Sequence, residues 1–496
     1  MLFYHASDRT FWMDETAVLE YLKNSPGGFV AEYWHNPDNH PPLYYFLVLL
    51  ISKILPWTEL TIRLVSIISG LGIVWLVYIF TLRVVQNKRT AILAAFFTAF
   101  SSYFVLISQM ARYHSLAAFL SLLVFYFFYQ LFVEGYSKRV WCWYLVMLVL
   151  VGYTDYPHFF YVAFITNALY FYCLARGRSI MPFFNWFIGQ ITAAIILSPL
   201  VWMIYHRIVI QGDSGWSSTN LLANSWVHIF TAIFFHIYSF FFGENIFPWN
   251  YAFFGMGVLV LIAVIAGFIH GFRKKMWTPG QLFVVLLSVA LIILNTLFMN
   301  VADPRYNFIV YPKFGFVAYP LWIMSFVLCI SKIHSKKVRV ILILIWAAVE
   351  LAGLSHFYQR NNYINGSYFN DFKGFEFVKS DSVEGDLLLI SGDLNMGVYN
   401  FYKEKYFSKV AAVSIDGLQA LLNNKQQVIL WFFSTGSDGD SVYTSVTATD
   451  QIPNGFKIIK QFQSVPVDPI LLKLKQKVTG RQSYIYKYGV YLLTNK

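Results

Sequence analysis

The sequence predicts a polytopic α-helical membrane protein with a small α/β domain at its carboxyl end. Of the 496 residues, 57% are hydrophobic and only 12% are charged, which is about half the charged fraction of an ordinary soluble domain. The apolar residues form runs of about 20, the length that a helix needs to cross a bilayer while satisfying its own backbone hydrogen bonds. After about residue 357 the composition becomes polar.

Ten membrane-spanning helices are predicted between residues 60 and 356. Basic clusters follow every second helix, for example Arg83 and Arg89 after the first and residues 273–275 after the seventh. Because Lys and Arg accumulate in cytoplasmic loops, these loops are assigned to the cytoplasmic side. The predicted spans are 60–84, 90–108, 114–133, 140–155, 158–174, 181–207, 251–271, 279–299, 308–331 and 337–356.

Two further apolar segments are not counted as spans. A crossing by residues 222–247 would place the basic cluster 273–275 outside, so this segment is predicted to be a re-entrant or interfacial helix, which suits its Trp, His and Tyr content. The run 41–57 is short and begins at a double proline. It is predicted to be a juxtamembrane helix.

The remaining loops share the outer face, where nearly all the unusual polar residues of the membrane half converge. Residues 1–40 belong to this face, yet no apolar segment or signal peptide precedes them in the sequence. Either the true start lies upstream and carries a first spanning helix, which we favour, or the start is unusual. The outer loops are 1–59, 109–115, 153–158, 211–216, 242–245 and 302–307.

The carboxyl-terminal region is predicted to be an α/β domain on the outer side, attached by the last spanning helix. Segments such as DLLLISGD and QQVILWFFSTG have the composition of short strands. Residues 414–424 predict a helix that is opened by Ser414 or Asp416. The predicted domains are an outer loop region 1–59 with juxtamembrane helices, a transmembrane domain 60–356 and an extracytoplasmic domain 357–496.

Composition and motifs exclude several classes of function. The net charge of +12 comes from short clusters between apolar runs, which is typical of membrane protein loops and not of nucleic-acid binding. The sequence has no Walker loop and no dinucleotide-binding glycine pattern, so ATP-driven transport is not indicated. The three cysteines have no metal or disulfide spacing, and a divalent ion between carboxylates finds no supporting cluster.

Two acidic residues stand side by side in the first outer loop, in the stretch RTFWMDETA. Asp14 and Glu15 are candidates for a general base, because partial desolvation near the membrane raises the pKa of a carboxyl group toward a useful value. The alternative is a solvated pair, or the preference of acids for a helix N-terminus. His40 begins the stretch HPPLYY, which has the same two interpretations: an interfacial site residue, or the start of a helix with proline in its first turn.

Basic residues at the outer ends of helices are candidates for binding a phosphate. Arg112 opens one helix, Arg305 precedes a late helix, and Lys313 lies two turns further on. The guanidinium group is well shaped for phosphate, although snorkelling to lipid headgroups explains such positions equally. Asp155 lies at a helix end near the outer boundary, where an ionisable residue indicates either a site or a cap.

The motifs, taken in order, resemble those of the GT-C type of membrane glycosyltransferase, in particular the protein O-mannosyltransferases and the aminoarabinose transferases of lipid A. The resemblance covers roughly residues 1–330 and is strongest in the first 115. In that family a first spanning helix precedes the acidic loop. The motifs are R-x-F-W-x-D-E at 9–15, H-P-P-L-Y-Y at 40–45, E-x-x-x-R-L-x-S at 59–66, Q-x-A-R-Y at 109–113 and P-R-Y at 304–306.

The resemblance implies a GT-C-like bundle and an enzyme that moves a hexose or pentose from a polyprenyl-phosphate carrier to a lipid, glycan or protein acceptor outside the membrane. It implies Asp14 as the base, with Glu15 and His40 orienting acceptor or sugar, and Arg112 and Arg305 holding the carrier phosphate. It implies no role for residues 357–496, and contacts with membrane lipids are expected. The lipid-linked donor is the one expected cofactor, and a divalent metal ion stays an open alternative without a supporting cluster. The predicted substrate-binding residues are His40, Tyr44, Arg112, Tyr113, Asp155, Arg305 and Lys313.

The expected chemistry is a single displacement with inversion, which needs one base and no enzyme nucleophile. Cations would stabilise the departing phosphate. One alternative is a lipid-linked glycan polymerase, ligase or flippase, for which inverted repeats or charged residues within spans are expected. Another is a secondary transporter or a structural membrane protein, with polar residues near the middle of the membrane.

Overall fold

The computed structural model describes most of the membrane half and the core of the carboxyl-terminal domain. The described residues are 1–7, 10–11, 15–38, 40–177, 180–210, 233, 236–241, 251–302, 312–358, 372–390, 396–424, 427–438, 452–464 and 485–495. The predicted re-entrant or interfacial segment 222–247 lies outside them, apart from residue 233 and the helical residues 236–241.

Helices dominate the membrane half, and a π-helical turn at His206–Ile210 and a 3₁₀ turn at Pro312–Ala318 accompany them. The helices are α1 Thr16–Tyr21, α2 Pro26–His35, α3 Leu43–Ser52, α4 Glu59–Val85, α5 Lys88–Ala99, α6 Ser102–Ser108, α7 His114–Val133, α8 Lys138–Gly152, α9 Tyr156–Ala175, α10 Phe183–Tyr205, α11 Tyr251–Arg273, α12 Pro279–Ala302, α13 Tyr319–Ser331 and α14 Lys336–Tyr358.

Several helices are long and apolar enough to cross a membrane. Within the described residues seven qualify, or eight if the bent pair α5 and α6 counts as one span. Helices α8 and α13 lie at predicted spans, but they have only 15 and 13 residues. The short apolar helix α3 matches the predicted juxtamembrane run. The polytopic helical fold is thus confirmed, while the predicted domain boundaries stay predictions.

Helix ends form where the sequence offers caps. Asn87 accepts from the amide of Thr90 at the start of α5, at 3.1 Å. The span α5–α6 breaks by 61°, and the carboxylate of Glu350 in α14 accepts from the amide of Ser102 beyond the break, at 2.6 Å. The first amides of a helix lack intrahelical partners, so a buried acid from a neighbouring span stabilises this break.

The carboxyl-terminal domain is a mixed sheet with helices. The sheet has the strand order β2-β1-β3-β5-β4; β1 runs parallel to β2 and β3, and β5 runs antiparallel to β3 and β4. Ser414 caps the predicted helix by accepting from the amide of Gly417 at 3.1 Å. The α/β prediction is confirmed. The elements are α15 Phe372–Asp381, β1 Asp386–Leu389, α16 Met396–Tyr406, β2 Val410–Val413, α17 Ile415–Asn423, β3 Ile429–Asp438, β4 Lys457–Ser464 and β5 Ile485–Thr494.

Candidate functional site

Four loops that are far apart in the sequence meet at one end of the helices. The amide of Ala111 donates to Oε1 of Glu15 at 2.6 Å, and Nη2 of Arg112 bonds Nε2 of His40 at 3.0 Å. The amide of Leu43 donates to the carbonyl of Tyr153 at 2.9 Å. The structure therefore brings together the first acidic loop, the His-Pro-Pro turn and the loops before α7 and α9.

Glu15 is held by Arg63, which lies four residues into α4. Nε of Arg63 donates to Oε1 of Glu15 at 3.2 Å and Nη2 donates to Oε2 at 3.1 Å. The Glu15 side chain is only 5% exposed and the Arg63 side chain only 2%. The guanidinium also donates to the carbonyls of Ala6 at 2.7 Å and Thr10 at 3.0 Å. A buried ion pair is stabilising only when its remaining groups find such partners.

Arg63 was part of a quoted motif, but no role was predicted for it. The signal was a charged residue inside a predicted span, which is costly in a membrane and marks a functional or structural contact. Glu350 gives the same signal in α14. Asp14, the predicted base, lies outside the described residues, directly before Glu15. Arg305 also lies outside them.

His40 lies between a cation and an anion. Because Arg112 can only donate, Nε2 of His40 must be the acceptor and therefore unprotonated. Burial, together with the charge of Arg112, lowers the pKa of His40, although Asp155 opposes the shift. The ring of Tyr113 completes the cluster: its centroid lies 4.4 Å from that of His40 and 5.3 Å from Cζ of Arg112.

Asp155 is both a helix cap and a member of the cluster. Its Oδ2 accepts from the amide of His158 at 3.2 Å and from Nδ1 of the same residue, and its Oδ1 lies 3.7 Å from Nδ1 of His40. Burial alone would raise the pKa of this carboxyl group, but His158 and His40 hold it well below its usual range. Asp155 is therefore ionised at neutral pH.

His158 was not predicted, although it is the last residue of the predicted outer loop 153–158. Its Nδ1 bonds Asp155, and its Nε2 is buried with no hydrogen-bond partner in the described part of the chain. Tyr44, a predicted substrate-binding residue, is buried, and its hydroxyl bonds Oγ of Ser66 at 2.9 Å. Ser66 donates in turn to the carbonyl of Arg112 at 2.9 Å, so Tyr44 helps to position the loop that carries Arg112.

Lys313 is a second buried cation near this cluster. It lies in the turn Pro312–Ala318 and within electrostatic range of His114, the first residue of α7, as does Arg112. The N-terminus of a helix such as α7 adds partial positive charge. The arrangement favours an anion. Among the described residues, no group of three or more His, Cys, Asp or Glu side chains could hold a metal ion.

Comparisons with known proteins identify the fold and a partial family match. Residues 39–203, 165 of the 496, match the family model for dolichyl-phosphate-mannose-protein mannosyltransferases. The structure of ArnT from Cupriavidus metallidurans bound to undecaprenyl phosphate is similar, with a TM-score of 0.58 and 10% identity over 100% of this chain and 96% of that chain. This chain has the GT-C fold. The resemblance stated from the sequence motifs is confirmed.

Two other structures are more distant. ArnT in the apo state gives a TM-score of 0.42 and 11% identity over 100% of this chain and 96% of that one. The oligosaccharyltransferase AglB from Archaeoglobus fulgidus, in complex with an inhibitory peptide and a dolichol-phosphate, gives 0.40 and 11% over 82% and 61%. No curated protein matches the sequence of this chain.

Proposed function

We propose that this protein transfers a sugar from a polyprenyl-phosphate carrier to an acceptor at the extracytoplasmic face, by one inverting displacement. The observation that carries the proposal is the cluster of buried Arg112 and Asp155 with half-buried His40, with the buried Lys313 close by, at the loop end of an apolar helix bundle. A lipid-linked anion reaches such a site from the bilayer, and the acidic loop lies beside the same cluster.

The cations serve the leaving group. A carrier phosphodiester has one negative charge, and the departing phosphate monoester develops a second. Arg112 and Lys313 therefore interact more strongly with the transition state than with the bound donor, which is the condition for accelerating the chemical step. Arg305 is proposed to join them.

Asp14 is proposed as the base that accepts the proton of the acceptor hydroxyl. The new bond forms between that oxygen and the anomeric carbon of the sugar, while the bond from this carbon to the phosphate oxygen breaks. The frame around Asp14 supports the role, since Arg63 binds the carbonyl of Thr10 before it and the carboxylate of Glu15 after it. Glu15 and His40 are proposed to orient the acceptor or the sugar. An acceptor that is itself a phosphate needs no base, and Asp14 would then position it.

The extracytoplasmic assignment rests on charge. Helix α4 begins at Glu59, near the site, and carries Arg83 in its last turn, with Lys88 and Arg89 beyond it. Basic loops lie on the cytoplasmic side, so the opposite end, with the site, faces outward. The carboxyl-terminal domain is proposed to lie on the same side.

The test uses membranes that contain the full-length protein and a panel of polyprenyl-phosphate sugars with a mixed acceptor extract. Release of free polyprenyl phosphate is measured. Asp14→Asn is expected to slow release about 10²-fold or more, within the range of a lost general base. Asp381→Asn is the matched control, because Asp381 pairs with Lys460 on the surface of the carboxyl-terminal domain. Folded wild-type protein that consumes no donor in the panel would contradict the proposal.

A further inference from the structure

Phe11, at the start of the first acidic loop, is packed against the carboxyl-terminal domain. Phe11, three residues before Asp14, is fully buried. Its ring meets that of Phe401 in α16 edge-on, with centroids 5.0 Å apart, and that of Tyr402 at 6.1 Å. Cζ of Arg63 lies 5.0 Å from the centroid of the Phe11 ring. The Phe11 side chain is therefore held both by the spanning helix α4 and by the carboxyl-terminal domain.

Helix α16 is anchored firmly in its own domain. Tyr402 packs against Phe375 at 5.2 Å and Phe372 at 5.9 Å between ring centroids. Tyr402 is also buried near Glu59 and Glu15 of the membrane half. Burial is the main cause that raises the pKa of Tyr402 well above its usual range, and the charge of Glu59 adds to it. Tyr402 stays a neutral phenol there. The cores of the two halves are thus continuous through α16.

The two ends of the loop have different polar and ring contacts, although helix α1, which follows Glu15, also packs against α16. At the Glu15 end, Arg63 and the amide of Ala111 both bind the carboxylate. At the Phe11 end, the carbonyl of Thr10 accepts one bond from Arg63, and the ring is fixed by Phe401 and Tyr402. Removing Phe401 would therefore loosen the Phe11 end, which Tyr402 and Arg63 still contact, while leaving the buried ion pair in place.

We propose that α16 of the carboxyl-terminal domain positions the catalytic loop, with Phe401 as the positioning residue that acts through Phe11. This inference rests on the proposed function and gives a role to a region for which the sequence implied none. A base must lie within hydrogen-bonding distance of its proton, and a misplacement of about 1 Å costs about 10²-fold in rate. The domain is then part of the active enzyme and not only an appendage.

The experiment compares Phe401→Ala with Phe432→Ala in the full-length protein, by donor consumption with the same fixed amount of mixed acceptor extract. Phe432 is buried in the same domain, but on the opposite face of the sheet, with Leu418 and Leu430. Phe401→Ala is expected to lower kcat by about 10-fold to 10²-fold. KM for the carrier should stay within about twofold, because Phe401 is not proposed to contact the carrier and its loss should not weaken carrier binding. Phe432→Ala should lower the resistance of the domain to proteolysis and leave kcat near that of the wild type.

A double-mutant cycle separates positioning from general damage. If the ring contact carries the effect, Phe11→Ala and Phe401→Ala together should reduce kcat no more than the worse single variant, because coupled residues are not additive. Phe401→Leu, which keeps an apolar side chain, should restore part of the rate. If Phe401→Ala does not fold, Phe401→Leu is the variant that is compared with the wild type. Additive losses, or equal kcat in Phe401→Ala and Phe432→Ala, would overturn the inference. An inactive wild type would instead contradict the proposed function.

Discussion

Two carboxylates of the site are buried, and the chain holds them in opposite ways. Glu15 accepts two bonds from Arg63, a guanidinium that stays charged at every physiological pH. Asp155 accepts from His158 and lies beside His40, and imidazoles are the groups that change charge near neutral pH. The comparison teaches that one acid belongs to a fixed frame and the other to a cluster that responds to protons.

The largest effect is expected at the fixed frame. Arg63→Ala would leave the carboxylate of Glu15 buried without its cation, which typically costs about 3–5 kcal/mol. Arg83→Ala is a matched control on the same helix, because Arg83 forms an equally bidentate pair with Glu134 at 2.5 Å, but with side chains 37% and 42% exposed. An exposed pair contributes at most about 1 kcal/mol. Thermal unfolding in detergent should separate the two variants clearly.

A double variant sharpens the same prediction. Replacing both members of the pair, by Glu15→Leu with Arg63→Met, removes the unpaired charge, and such apolar replacements of buried pairs are often neutral. The double variant should therefore unfold at a higher temperature than Arg63→Ala. If Arg63→Ala and Arg83→Ala unfold alike, Glu15 is not held as the geometry indicates.

Asp155 should respond to two substitutions differently. Asparagine caps helices as well as aspartate does, whereas alanine does not, and losing the cap costs about 1 kcal/mol. Asp155→Ala should therefore lower the unfolding temperature more than Asp155→Asn. Both remove the charge beside His158 and His40 and should slow donor turnover to a similar degree. If Asp155→Asn turns over at the wild-type rate, Asp155 serves only as a cap.

The sequence predicted the membrane spans well and the contacts that hold the site poorly. Apolar runs of helical length predicted the spans, and alternating basic loops predicted that the polar residues share one face, because both signals are local. The partners of Glu15 were not predictable in the same way. Arg63 lies 48 residues away, and the contact between Phe11 and Phe401 joins opposite ends of the chain. Such contacts are set by helix packing, which no local pattern records.

The bend between α5 and α6 shows the same limit. Ser101 and Ser102 in an apolar run gave no strong signal of a break, and residues 90–108 were predicted as one span. The stabilising acid, Glu350, comes from a helix 248 residues further along. By contrast, Ser414 or Asp416 was predicted to open its helix, and Ser414 does so, because a cap bonds an amide three residues away.

The smallest expected effect is the pH dependence of the histidine cluster. His40 faces Arg112, Asp155 and Asp38, whose Oδ1 accepts from the His40 amide at 3.3 Å. Since the pKa of His40 is lowered in the folded protein, its stabilising contribution is complete above its unfolded pKa of about 6.5. That contribution is lost as the pH falls through the folded value, because the unfolded chain binds the proton more readily. Asp155, whose pKa is also lowered, keeps its contribution down to below about pH 3.9.

Between pH 7 and pH 5, therefore, the unfolded chain takes up a proton at His40 more readily than the folded protein does, while the contribution of Asp155 stays constant. Protonation of His40 also removes the acceptor for Arg112 and places two cations side by side. The unfolding temperature of the wild type should fall over this range by more than that of His40→Gln, whose amide oxygen can accept from Arg112 at every pH. Parallel curves for the two proteins would show that the cluster, like the Glu15 frame, is insensitive to protons, and the contrast between the two carboxylates would then be lost.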